Sequence, residues 1–411
     1  MKLRVVFFLL GLFYNSFAFA DILVIGKGEQ FATIKEAVSK ALENDTLQIR
    51  SGIYREGNIV ISKSLSLVGE TNTILEGENK FEILTVSGKN FFIRGITFRN
   101  SGYSSMNDFA SIKVIDASRF TLENNKVIDA HFGIHISNCS FFNVRDNVIA
   151  GNPGEEQSTG NGIHLWKCNH AFILNNKVSG HRDGIYFEFV TESHVVNNNS
   201  EKNIRYGLHF MFSNNDLYRF NRFSENGAGV AVMFSHHVEM VQNTFINNRG
   251  GASYGLLLKE ISDGTVDRNT FEGNTIGIFM EGVNRFSVMN NKFENNGWAF
   301  KIQASCTDIN VFKNNFSGNT FDVATNGTLM LNKFENNYWD KYEGYDINND
   351  GIGDIPYHPS SLFSTIAEDM PYAMILYRSF IVMLLERTEK AIPAVTPENL
   401  LDEKPFMKPV L

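Results

Sequence analysis

Gly207-Leu208-His209-Phe210, Asn221-Arg222-Phe223, Gly229-Val230-Ala231-Val232 and Asn243-Thr244-Phe245 follow one another along one stretch, and their alternation decides the fold. Two motifs run in step. The first, Asn-x-Phe or Asn-x-Val, also stands at Asn125-Lys126-Val127, Asn147-Val148 (one residue shorter), Asn176-Lys177-Val178, Asn269-Thr270-Phe271, Asn291-Lys292-Phe293 and Asn332-Lys333-Phe334. Asn198 fills the remaining gap, with Ser200 in the apolar place. The second motif, Gly followed by alternating apolar residues, stands also at Gly133-Ile134-His135-Ile136, Gly162-Ile163-His164-Leu165, Gly184-Ile185-Tyr186-Phe187, Gly255-Leu256-Leu257-Leu258, Gly277-Ile278-Phe279-Met280 and Gly297-Trp298-Ala299-Phe300. Successive glycines are 29, 22, 23, 22, 26, 22 and 20 residues apart.

A unit near 22 residues built of short alternating segments, punctuated by Asn, Ser and Gly, reads as strands and turns. A leucine-rich repeat needs a Leu-x-x-Leu-x-Leu frame and a non-strand return, and neither is present. The pattern predicts an all-β chain: a right-handed, single-stranded parallel β-helix of the pectin-lyase-like kind. About a dozen coils would stack like side chains inward and turn asparagines into ladders.

Composition agrees. Of 411 residues 43% are apolar and 20% charged, which excludes disorder, and one long solenoid replaces the two or three domains such a length would suggest. The 36 phenylalanines are expected at inward positions, and the 8 prolines are few because continuous strands need their N–H donors. Lys2 and Arg4 precede an apolar run over residues 5–14, and Ala18-Phe19-Ala20 has the form of a signal-peptidase site. Residues 1–20 are therefore expected to be a cleaved secretory signal. Its loss takes the net charge from −8 to −10, which argues against a nucleic-acid partner. Three cysteines cannot all pair within an exported chain.

Residues 21–46 are expected to form an N-terminal cap with a helix, where Thr33 and Glu36 make a capping box and Ile34, Ala37, Val38, Ala41 and Leu42 form one apolar face. The β-helix is expected over residues 47–339, an Asp/Asn-rich loop region over 340–369, and an apolar helical segment over 370–390. A proline-containing extended tail would follow over 391–411.

If the first and third residues after each Gly point inward, the second and fourth point out. Down successive coils the outward pairs are His135 and Ser137, His164 and Trp166, Tyr186 and Glu188, His209 and Met211, Ala231 and Met233, Leu257 and Lys259, Phe279 and Glu281. Imidazoles and thioethers in adjacent coils suit Cu(I), so His209, Met211 and Met233, with Glu188 one coil earlier, are candidate copper ligands, and His135 and His164 join them by stacking. Three other readings stay open. The strip could simply be covered by a loop or partner, Trp166, Tyr186, Glu188 and His209 could serve a polysaccharide lyase, epimerase or hydrolase, or the chain could be a passive adhesin or carbohydrate-binding solenoid. Against the enzyme, no second acidic residue stands in the central outward columns to make a carboxylate pair, and no Arg stands there for a uronate. Cys139 and Cys168 fall on neighbouring coils, as buried filler or as a disulfide. His236-His237 is either a transfer site or a solvated turn. Asp346, Asn348, Asp350 and Asp354 surround Gly351 like a calcium loop, although Tyr357 stands where an EF-hand needs Glu; a run of Asx-turns is the alternative.

The segments Gly162-Ile-His-Leu-Trp-Lys, Gly184-Ile-Tyr-Phe-Glu-Phe189, Arg205-Tyr-Gly-Leu-His-Phe-Met-Phe-Ser-Asn214 and Gly229-Val-Ala-Val-Met-Phe-Ser-His236 resemble the NosD family, across nearly the whole mature chain. The resemblance implies a non-enzymatic periplasmic protein for maturation of nitrous oxide reductase. Its expected partners are an ABC transporter permease and its ATPase, a copper-carrying lipoprotein and the reductase itself. The family segments land on His209, Met211 and Met233. Residues 373–385 then become a candidate for docking on the permease, which would hold the protein at the inner membrane.

Overall fold

The computed structural model describes residues 20–104, 106–327, 331–391 and 400–410. All of the expected signal segment except Ala20 thus lies outside the described residues.

The rest is a solenoid. Three parallel sheets of 14, 12 and 13 strands run its length, each strand pairing with the equivalent strand one coil away. The count is nearer fourteen coils than a dozen. The Gly motif builds the 12-stranded sheet, which begins at Ile59–Ile61 and ends at Phe321–Ala324. The Asn motif leads into the 13-stranded sheet.

Glycine repeats for a steric reason. A Cβ added at Gly133, Gly162, Gly229 or Gly277 would lie 2.4–2.5 Å from the carbonyl oxygen of the equivalent residue one coil on. At Gly277 that oxygen belongs to Ala299, so the column continues through Ala299, and Gly297 is displaced from it by two residues. The interval is 22 rather than the 20 that the motif suggested. Asn332-Lys333-Phe334 also moves: Lys333–Glu335 belongs to the 14-stranded sheet, and the Asn column runs through Asn314 to Asn337.

Inside, rings stack on rings. Phe245, Phe271, Phe293, Phe316 and Trp339 form one column with centroids 4.1–4.9 Å apart, and Phe91, Phe120 and Phe142 another. Not every phenylalanine is inward. Phe189, Phe212 and Phe234 occupy a corner on three successive coils at φ of 51–55°, exposed and stacked 5.2 Å apart.

Two amide ladders hold the coils together. In the first, the backbone N–H and Nδ2 of each asparagine from Asn125 to Asn314 donate to Oδ1 of the next, as Asn221 does to Asn243 at 3.0 Å in both cases. The second runs from Asn203 through Asn226, Asn248, Asn274 and Asn296 to Asn319. Its first position is His181, whose backbone N–H donates to Asn203 Oδ1 at 3.1 Å.

The N-terminal strand Ile22–Ile25 already pairs with Thr46–Ile49, so the first coil begins ahead of residue 47. The cap helix α1 spans Ile34–Lys40 with Thr33 as N-cap, while the Glu56 carboxylate accepts from Ile34 and Lys35 N–H. Ile34, Ala37 and Ala41 are buried, but Leu42 lies past the helix end and is 66% exposed. At the other end, helix α2 (Leu362–Asp369) arises inside the expected loop region. The apolar segment itself divides into a 3-10 turn, Pro371–Leu376, and helix α3 (Phe380–Ala391). Phe363, Ala367 and Val382 pack on Ile276, Trp298, Phe321 and Ala324, outside the Gly-motif sheet.

The tail, expected to be extended, packs on the end of the solenoid. Its described part returns to the solenoid, where Asp402 is fully buried and ends the first ladder. Its carboxylate accepts from the backbone N–H of Asn336, Asn337 and Lys404, from Asn337 Nδ2 and from Trp339 Nε1. Burial still raises its pKa, because these donors only partly offset the desolvation. Asp402→Ala would orphan several buried donors at about 1–3 kcal/mol each, less what water recovers. The variant should unfold at clearly lower urea and lose its C-terminal residues early in limited proteolysis.

His181 carries a pH signature. Burial pulls its pKa from 6.5 to about 4, so the folded state prefers neutral imidazole. The resulting stability is complete above the unfolded value of 6.5 and is lost as pH falls toward about 4. His181→Asn should flatten the fall in Tm across that window relative to the parent chain. Buried acids of opposite sign, such as Asp322, affect both proteins alike.

Candidate metal site

The strand register places the outward residues in the columns expected. His135 pairs with His164, His164 with Tyr186, Tyr186 with His209 and His209 with Ala231. The ring centroids of the first four residues are 4.8 Å apart at every step. Two residues along, Trp166, Glu188, Met211, Met233, Lys259 and Glu281 pair in the same way.

The face is not an open wall. His164 is 8% and His209 4% exposed, and Ala231 is buried, whereas Tyr186, Glu188, Met211 and Met233 are half-buried. Part of the cover comes from residues just before each glycine. Tyr206, directly before Gly207, pairs with Ala228 one coil on, and its ring lies beside the outward His209. Tyr206 and His209 have ring centroids 4.8 Å apart, and Asp183 reaches His209.

This third column holds what forward counting from Gly missed. Asp183 Oδ2 lies 3.4 Å from His209 Nδ1, and both residues are buried. Arg205 Nε stands 3.9 Å from Asp183 Oδ1 and 3.4 Å from Glu156 Oε1, with its guanidinium over the Tyr206 ring. A second carboxylate and an Arg, which the outward columns lack, therefore stand directly beside them. The signal was available: Asp183 and Arg205-Tyr206 directly precede Gly184 and Gly207.

His209 Nε2 is buried and has no partner among the described residues. A histidine whose Nδ1 is held by a carboxylate and whose Nε2 is unclaimed has the arrangement of a metal ligand with its orienting neighbour. Met211 and Met233 lie in register on its own and the next strand, and Tyr186 Oη donates to Met211 Sδ at 3.8 Å. Burial, then Glu188, raises the Tyr186 pKa and keeps that hydroxyl protonated. One imidazole nitrogen beside two thioethers fits a soft monovalent cation.

The six copper candidates separate into two groups. Glu188, His209, Met211 and Met233 are neighbours, whereas His164 is two coils, about 10 Å, from His209, with Tyr186 between them. Both His164 nitrogens and His135 Nδ1 are buried without a partner among the described residues, and burial holds both pKa values down, His164 well below 6.5. Among the described residues no group of three or more His, Cys, Asp or Glu is assembled for a metal. A site here depends on methionine.

Elsewhere, Asp346, Asn348, Asp350 and Asp354 come together, but their oxygens accept loop N–H groups at 2.7–3.2 Å. That is the Asx-turn alternative, and calcium gains no support from it. Cys139 and Cys168 are free and buried, each thiol pushed up to about 12 by burial. His236 and His237 meet through their Nδ1 atoms at 2.9 Å in an exposed turn.

Residues 145–350 match the family model described as "Periplasmic copper-binding protein (NosD)". The chain belongs to the NosD family. A relative from Stutzerimonas stutzeri, named "Probable ABC transporter binding protein NosD", is 27% identical with 95% of this chain and 94% of its own length covered. A Pseudomonas aeruginosa protein of the same name is 29% identical over 86% of each. Among solved structures, the periplasmic alginate epimerase AlgG has a TM-score of 0.51 at 12% identity, covering 74% of this chain and 82% of its own. The Dettilon tailspike protein has 0.51 at 14%, covering 74% and 62%. These two likenesses concern the fold alone. The NosD match includes the His164 to Met233 columns and the Asp346 to Asp350 loop, while His135 and α3 lie outside it.

Proposed function

We propose that this NosD-family chain is a periplasmic binding protein that holds Cu(I) in passage at His209, Met211 and Met233, with Glu188 alongside, for metal-centre assembly of nitrous oxide reductase. The observation that carries the reading is the buried, unclaimed Nε2 of His209, oriented through Nδ1 by Asp183 and set beside a thioether pair. Copper is cargo: His209 supplies a fixed nitrogen, and the methionines supply neutral sulfur on flexible stems that can follow an incoming or departing ion. The family description and the relatives' names support copper and an ABC transporter. A copper-carrying lipoprotein as donor and the reductase as recipient complete the proposal.

Anaerobic Cu(I) titration against a competing chelator tests the site. Met211→Ala with Met233→Ala, or Asp183→Asn alone, should each weaken binding about tenfold or more. Unchanged affinity in both would remove the assignment. The Asp183–His209 pair beside Arg205 also fits proton abstraction from an acidic sugar. New products from polyuronates, lost in Asp183→Asn, would move the site to that class.

The C-terminal helices supply the transporter contact in this reading. Tyr372 is 93%, Ile375 89%, Phe380 77% and Ile381 66% exposed, and burying each would stabilise a complex by about 1.5–3 kcal/mol. No helix among the described residues is long and apolar enough to cross a membrane, so the segment would dock rather than span. A tagged mature chain should co-purify with a permease and ATPase from membranes. Ile375→Asp with Phe380→Asp should abolish that capture while leaving Cu(I) affinity unchanged.

A further inference from the structure

The column of glycines in the 12-stranded sheet does not end in glycine. After Ala299 the register reaches Asp322, on the last strand of that sheet. Among the described residues no further strand of this sheet follows, so a carboxylate fits where a coil within the stack would admit no side chain. The chain closes this end with other elements: Val323 N–H donates to Pro359 O, and α2 packs beside it. The closure leaves a cavity of about 820 Å³ between the last coil and the C-terminal segment.

Three residues of the cavity wall each hold a buried polar atom that no described residue satisfies. The Asp322 side chain is 2% exposed; its Oδ2 faces Lys341 Nζ at 3.3 Å and Tyr357 Oη at 3.4 Å, but Oδ1 has no partner among the described residues. Ser360 Oγ and His358 Nδ1, also lining residues, are likewise buried and unpartnered there. Such groups call for ordered water or a ligand to match them. Burial lifts the Asp322 carboxyl to about 6 in spite of Lys341, the mark of an acceptor short of donors.

We propose that this cavity binds a small neutral polyhydroxylated molecule, of monosaccharide size, and that Asp322, Ser360 and His358 in its wall turn the Oδ1, Oγ and Nδ1 atoms now covered there toward the hydroxyls of the ligand. The volume falls within the range of small-ligand sites. Charge selects the class. Asp322, Asp340 and Glu389 on the wall oppose an anion. Lys341, which also donates to the Asn319 and Thr320 carbonyls, already supplies the cation for Asp322. A hydroxyl-rich ligand can donate to the carboxylate and exchange either role with the serine and the imidazole, and Tyr342, Tyr357 and Tyr377 offer aromatic surface to its C–H faces. The site lies four coils, about 19 Å along the axis, from Met233, so it is separate from the copper proposal.

The test is saturation-transfer NMR and calorimetry on the full mature chain with D-glucose, D-galactose, N-acetyl-D-glucosamine and, as charged comparisons, D-glucuronate and D-glucosamine. At least one neutral sugar should bind, and each charged sugar should bind at least about tenfold more weakly. Ser360→Ala should weaken the neutral sugar about tenfold, Asp322→Asn should weaken it further, and Met211→Ala should leave it unchanged. Should Asp322→Asn fail to fold, Ser360→Ala decides alone. Silence from all three neutral sugars, preference for a charged one, or affinity unaltered by Ser360→Ala would each overturn the proposal.

Discussion

The structure depends on a directional chain of amide hydrogen bonds. Each turn that leads into the Asn-motif sheet leaves an N–H and a C=O facing inward, out of reach of water. An asparagine answers both: Asn221 gives Nδ2 to Val195 O on the coil behind and to Asn243 Oδ1 on the coil ahead, and its own Oδ1 receives the N–H and Nδ2 of Asn198. Every rung donates forward. The last rung must therefore accept and cannot donate, and Asp402, with two oxygens and no hydrogens, has that chemistry. The ladder thus explains why a segment 65 residues beyond Asn337 folds back upon the solenoid.

Regularity also gives meaning to departures from it. Corners at φ near +55° suit Asn, Asp or Gly, and the corner that holds Asn138 and Gly282 has phenylalanine at Phe189, Phe212 and Phe234. An L-residue in that conformation costs about 1–2 kcal/mol. The three sites lie directly after Glu188, Met211 and Met233, so strained, exposed rings border the candidate ligands on the same coils.

What was legible in the sequence follows from how local each signal is. Sheet register depends on a period, so the outward columns from His135 to Glu281 could be counted correctly from Gly without coordinates. Counting failed where the period slipped, at Gly297 and Asn332, because nothing in a dipeptide distinguishes one corner of a coil from another. It failed differently at Asp183 and Arg205. Strict alternation assigns Asp183, the residue before Gly184, to the inner side, yet its carboxylate reaches His209, and Arg205, two residues before Gly207, lies outside the stretch counted forward from Gly. Asp402 and Asp322 were invisible for a third reason: their partners Trp339, Tyr357 and Lys341 become neighbours only after the C-terminal chain has closed the end of the solenoid.

The rigidity that makes the columns countable bears on how cargo would leave them. His209 sits between the Tyr186 and Tyr206 rings, each 4.8 Å away, and its far nitrogen is tied to Asp183, so the imidazole has little room to swing. Met211 and Met233 are half-buried, on stems with three rotatable bonds, and one of them holds only a weak hydroxyl contact. An ion bound by the three would therefore exchange on its sulfur side, where a partner's ligand could replace one thioether before the other lets go. Such ligand-by-ligand transfer needs no change in the coil stack. It requires a partner on the side of the methionines, the side that also carries the Phe189, Phe212 and Phe234 corner.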